Sequence, residues 1–236
     1  MVGFSRRSVI ASAVSGLAMG PISGSRVGAA TGSGGDDGKV GEPEMTHIGR
    51  PRTPRLSPLS DKELTPQQQD VVHPSRRTYA LNITRTLAHN PSLLGAWTTF
   101  ASHLINASSL PARDREILIL RTGLRCDCAY ELAQHRVIAK QSGLNDSEIE
   151  SILHDGSALS PFDKTLLQAA DELVRDQCLS DATWIDLTAR YRDEQVIDAI
   201  FTVGNYTIVS MALNSLGVEI EPDFEQFWVG QKLPGR

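Results

Sequence analysis

The stretch "LPARDREILILRTGLRCDCAYELAQHRVIAKQSGLNDSEIESI", Leu110 to Ile152, decides the fold. Pro111 opens a helix with Asp114 and Glu116 near its start, where the helix dipole favours negative charge. The aliphatic run Ile117 to Leu120 follows, and Gly123 marks the expected end. A short connection, Arg121 to Arg125, leads into a second helix that carries Tyr130 and His135 and stops at Gly143. So short a link makes the two helices antiparallel neighbours. Asn145, three residues ahead of Glu148, has the spacing of a capping box and starts a third helix.

The same pattern extends outward. In "HNPSLLGAWTTFASHLI", Asn90 is the expected N-cap and Pro91 the first helical residue, with Leu94, Trp97, Ala101 and Leu104 on one face. Downstream, helices are expected behind Ser160 and Ser180, and a long apolar one runs over "EQVIDAIFTVGNYTIVSMALNSLG". No run alternates with strand period. Residues 61–236 therefore read as a compact all-α domain of about seven helices joined by short loops.

Residues 1–30 read differently. The pair Arg6-Arg7, a weakly apolar stretch broken by Gly and Pro, and small residues near Ala29 have the anatomy of a twin-arginine export signal. The apolar part is shorter and more polar than the roughly 20 residues of a spanning helix, so no stable membrane insertion is expected after signal removal. The expected location is periplasmic or secreted. Residues 31–60, rich in Gly, Pro and Ser, read as a linker or arm.

Composition narrows the function. Forty per cent hydrophobic and 22% charged residues describe a soluble globular protein, and a net charge of −5 without a basic run argues against nucleic acid as a partner. Three cysteines do not make a disulfide scaffold.

At about 100° per residue, Cys128, Glu131 and His135 share one arc of their helix, bordered by apolar Leu124, Leu132 and Ile138. A carboxylate and an imidazole held against apolar surface have perturbed protonation, the usual condition of an acid/base pair. The plainer reading is a helix-supporting pair at i, i+4. Glu116 shares a face with Ile119, Leu120 and Gly123, and a buried carboxylate there needs a partner. His135 is one; Arg113 or Arg121 is the surface alternative. A metal site from Cys128, Glu131 and His135 has only three mixed ligands, so neither metal nor cofactor is expected. Tyr206 lies among apolar neighbours on the last helix, within reach of the pocket.

The quoted stretch, with its flanks from about Leu64 to Glu221, resembles the carboxymuconolactone decarboxylase family, which includes the alkyl hydroperoxidase D-like proteins. The resemblance implies an all-helical fold assembling as a homotrimer or homohexamer around sites that bind a small molecule. Its hydroperoxidase branch uses Cys-x-x-Cys, then His, with an upstream relay Glu. Glu116, Cys128 and His135 match those positions, but Glu131 stands in place of the second cysteine. The decarboxylase branch carries Tyr-Glu-Trp before the His, matched by Tyr130, Glu131 and His135 with Leu132 replacing Trp. The expectation is a cofactor-free acid/base enzyme acting on a small carboxylated lactone or related carbonyl compound. His135 would transfer the proton, Glu116 and Glu131 would assist, and Arg115, Arg121, Tyr130 and Tyr206 would bind substrate. The alternatives are a thiol peroxidase acting through Cys128 and a non-catalytic exported binding oligomer.

Overall fold

The computed structural model describes residues 49–73 and 80–221; the expected export signal and most of the linker lie outside them. The described residues belong to one compact unit, His47–Arg236. Nine helices occur among them: α1 (Pro66–Val72), α2 (Asn82–Leu87), α3 (Pro91–Asn106), α4 (Ala112–Arg125), α5 (Ala129–Gln141), α6 (Asp146–Leu153), α7 (Pro161–Arg175), α8 (Asp181–Thr188) and α9 (Asp193–Leu216). The last seven carry the expected pattern, and short α1 and α2 precede them.

Caps explain most of the starts. The Asn90 side chain accepts the Leu93 N–H, with Pro91 at the first position of α3. Asn145 and Glu148 form the capping box of α6, and Ser160 and Asp163 form another at α7. α9 ends at Gly217, whose φ of +70° is left-handed; a Cβ there would also lie 3.0 Å from the Thr53 carbonyl oxygen.

α4 is the centre of the fold. It packs against α5, α6, α7 and α9, so Ile117, Leu118, Ile119 and Leu120 are all buried although they point around the whole helix. Most of its polar side chains are buried or half-buried as well and find partners on the surrounding helices. Tyr191 Oη donates to Asp114 (2.7 Å), and Arg113 makes paired bonds to Asp163 (2.8 and 2.9 Å) and one to Glu148 (2.6 Å).

Two boundaries differ from expectation. α4 continues through Gly123 to Arg125, because the missing side chain is used for packing rather than termination. A Cβ at Gly123 would lie 3.2 Å from Leu132 Cδ2 and 3.4 Å from Glu131 Cβ. The turn is therefore Cys126–Cys128, where Asp127 takes a left-handed φ of +48°. Cys128 is the N-cap of α5 and lies outside the helical arc expected for it.

The ends of the described chain fasten to the same region. The backbone N–H of Arg55 donates to the Leu216 carbonyl (2.8 Å), its guanidinium donates to the Ser215 carbonyl (3.2 Å), and Arg50 donates to the Cys126 carbonyl (2.9 Å). At the other end, buried Glu221 accepts from Tyr130 Oη (2.6 Å), the Asn82 backbone N–H (2.7 Å) and the Gln134 amide (2.5 Å).

Candidate active site

The first turns of α4 and the body of α5 bring three ionisable side chains together. His135 Nδ1 is 2.7 Å from Glu116 Oε2, and His135 Nε2 is 3.4 Å from Glu131 Oε2. One contact joins two helices and the other spans one turn of α5. All three residues are buried, Glu116 at 1% exposure. From α9, the Tyr206 ring meets the imidazole edge-on, with centroids 4.9 Å apart and planes at 90°. Arg115 closes the group: its Nε donates to Glu116 Oε1 (3.3 Å) and its Nη1 to the Ile105 carbonyl (2.8 Å).

Burial sets the protonation. It pushes Glu131 up to about 7, helped by the Glu116 charge and opposed by His135. The same burial pulls the His135 imidazole down, but the hydrogen bond to Glu116 and the charges of Glu116 and Glu131 outweigh it, so its pKa is raised. The site therefore combines an imidazole whose protonated form is favoured by Glu116 with a second carboxyl that is close to half-protonated near pH 7. Tyr206 is held well above the usual phenol range by burial and then by the Glu131 and Glu116 charges.

The other expected site residues go elsewhere. Arg121 is engaged by Asp171 through paired bonds (2.7 and 2.8 Å) and donates to the Ile152 and His154 carbonyls, so it does not join the cluster. Tyr130 turns its hydroxyl to Glu221 and lines a cavity of about 670 Å³ between α5's first turn, the Arg50–Pro54 segment and the chain after α9. Cys128 is fully buried, and burial pushes its thiol up to about 12. A thiol in that state stays protonated and is a poor nucleophile. The Glu221–Gln134 contact beside His135 was not anticipated, since no local pattern links residues 87 positions apart. Among the described residues no group of three or more His, Cys, Asp or Glu side chains is arranged to hold a metal ion.

The profile of the carboxymuconolactone decarboxylase family matches residues 91–172, which hold α3 through most of α7, Glu116, Glu131 and His135 among them. The centre of the chain is thus similar to the carboxymuconolactone decarboxylase family. Solved structures agree on the fold. The alkylhydroperoxidase AhpD core of an uncharacterized peroxidase-related protein from Ralstonia eutropha JMP134 superposes with a TM-score of 0.62 at 16% identity, covering 72% of this chain and 94% of that one. An uncharacterized peroxidase-related protein from Silicibacter sp. TM1040 gives 0.60 at 17% identity, covering 74% and 93%. The debrominase Bmp8, as a cysteine-to-alanine variant with 2,3,4-tribromopyrrole, gives 0.63 at 14% identity, covering 74% and 95%. At these identities the likeness is one of fold. No match was found among curated proteins.

Proposed function

We propose that this chain belongs to the carboxymuconolactone decarboxylase family and is a cofactor-free acid/base enzyme acting on a small carboxylated lactone or related carbonyl compound. The observation that carries the reading is the buried Glu116–His135–Glu131 series, in which one imidazole lies between two carboxyl groups and burial pushes one of them, Glu131, up to about 7. Titratable groups driven apart by their surroundings are the means by which one site both accepts and delivers protons at neutral pH.

Each group then has a task. Arg115 uses Nε and Nη1 on Glu116 and the Ile105 carbonyl, and its Nη2, with no hydrogen-bond partner among the described residues, holds a substrate carboxylate. Loss of carbon dioxide breaks a carbon–carbon bond and leaves its electron pair on the conjugated carbonyl as an enolate. Protonated Glu131 and the Tyr206 hydroxyl donate to the enolate oxygen, in a dry site where such donors act most strongly. His135 delivers its Nε2 proton to carbon, while Glu116 fixes the ring through Nδ1 and stabilises the imidazolium beforehand. Isomerisation or ring opening would use the same parts in the same roles.

Against a thiol mechanism stand the burial of Cys128, its raised thiol pKa and Glu131 at the position of a resolving cysteine. Turnover of an accepted substrate is expected to fall roughly 10²–10⁴-fold in His135→Ala and to persist in Cys128→Ser. The opposite ranking, measured as kcat/KM, would overturn the assignment.

A further inference from the structure

α9 carries three buried polar side chains spaced three and four residues apart: Thr202, Asn205 and Tyr206. Residues so spaced share one side of a helix. Their hydrogen bonding is incomplete. Thr98, Thr122, Thr188 and Thr207 each return a hydroxyl to the carbonyl four residues back, whereas Thr202 Oγ1 is sealed from solvent without a partner. The Tyr206 hydroxyl, on the ring that meets His135 edge-on, has no hydrogen-bond partner among the described residues either.

Asn205 is the most informative of the three. The Trp97 indole on α3 donates to its Oδ1 (3.0 Å), and an indole nitrogen can only donate. That bond fixes which way the amide faces and commits its oxygen, leaving both Nδ2 protons. They have no acceptor among the described residues, although Asn205 is only 4% exposed. Unlike Thr202 Oγ1, Nδ2 is not sealed from solvent, so a ligand can reach it. Buried donors are normally satisfied, and this one is therefore built for an acceptor that the chain does not supply.

Arg115 marks the other end of the same space. Its Nη1 donates to the Ile105 carbonyl in the last turn of α3, and its Nη2 has no partner among the described residues. Trp97 and Ile105 are eight residues apart on α3, which is about 12 Å along the helix axis. The Asn205 amide and the Arg115 guanidinium are thus anchored at two levels of one helix. A small ligand with a hydrogen bond of about 2.9 Å at each end spans such a distance.

We infer that Asn205 is a specificity-determining residue that binds a second acceptor oxygen of the substrate. The substrate class is then a small carboxylate with two further oxygens, a carbonyl at the reacting centre and a carbonyl or hydroxyl beyond it. Trp97 is a positioning residue, acting through the amide that it orients. The inference rests on the acid/base reading for the carboxylate at Arg115, but the Asn205 contact is tested separately from it.

Isothermal titration calorimetry on the full-length chain with two probes is the test. Levulinate carries a carboxylate and one carbonyl; succinylacetone adds a second carbonyl two carbons further on. The wild type is expected to bind succinylacetone about tenfold more tightly, the worth of one good hydrogen bond. Asn205→Leu, close in size and without donors, is expected to bring the two affinities together while leaving that for levulinate unchanged. Asn205→Asp, which keeps an acceptor for Trp97 but has no amide donors, is expected to lose the preference as well, and it decides the matter if circular dichroism shows the leucine variant unfolded. Trp97→Phe, which releases the amide to turn, is expected to reduce the preference and leave levulinate binding in place. A wild type that does not distinguish the probes, or an Asn205→Leu or Asn205→Asp chain that still does, would overturn the assignment. Arg115→Met separates this contact from the acid/base reading, because it is expected to weaken both probes alike and keep their ratio. If Arg115→Met left both affinities unchanged, the carboxylate site would fall, while a preference lost in Asn205→Leu would still uphold the Asn205 contact.

Discussion

Glu131 stands where a thiol mechanism would need its second sulfur, and that single residue changes the chemistry available to the site. Its folded pKa of about 7 lies above the ordinary 4.5, so the folded state holds a proton that the unfolded state releases between those values. His135 is raised as well, so its contribution is complete below its unfolded value near 6.5 and is lost as pH rises through its folded one. Both groups therefore lower stability as pH rises, Glu131 between about 4.5 and 7 and His135 from about 6.5 upward. Glu131→Gln cannot ionise, and thermal unfolding across that range should show it matching the wild type near pH 4 and exceeding it above pH 7 by up to a few kcal/mol. If catalysis depends on the same carboxyl, the step in kcat/KM near pH 7 should disappear in this variant. The pairing of Glu131 with His135 was readable from four-residue spacing, and Glu116 from a carboxylate set among aliphatic residues. Arg121, expected as a substrate ligand, is engaged instead by Asp171, which lies 50 residues away on a helix whose orientation no local pattern fixes.

Between elements, the contact of α4 with α5 governs the site, since one helix carries Glu116 and the other His135. Gly123 sets their separation, with Leu132 Cδ2 occupying the space a side chain would need. Leu132 is fully buried and cannot move outward freely. Gly123→Val should force the helices apart and cost about 1–3 kcal/mol in urea unfolding, against a small gain from removing glycine from a helix. Gly123→Ala should lie between valine and wild type. Capped helix starts were the most readable part of the chain, because an Asn or Ser followed three residues later by Glu or Asp acts locally. The end of α4 was not, because glycine as a stop and glycine as a close-packing position look the same until the opposing leucine is known.

For the molecule as a whole, the chain after α9 returns to brace α5. Glu221 accepts hydrogen bonds from Tyr130, Gln134 and the Asn82 backbone, so it joins the C-terminal segment to α2 and to the helix that carries His135. Glu221→Ala leaves three donors without their acceptor and should destabilise the protein by about 2–3 kcal/mol in chemical denaturation. Glu221→Gln should cost less. This bracing was hidden from the sequence for the same reason as the Arg121 pairing: 91 positions separate Tyr130 from Glu221. The strap at Arg55 has a kinetic consequence. Its backbone bond to Leu216 spans nearly the whole described domain, and a contact of such long range forms only after a large loop has closed. During synthesis the helices around α4 can collapse early, but the strap has no partner until the end of α9 has left the ribosome. Closure of the strap is then a late folding event, and the amide of Arg55 should gain protection from hydrogen exchange after those of α4.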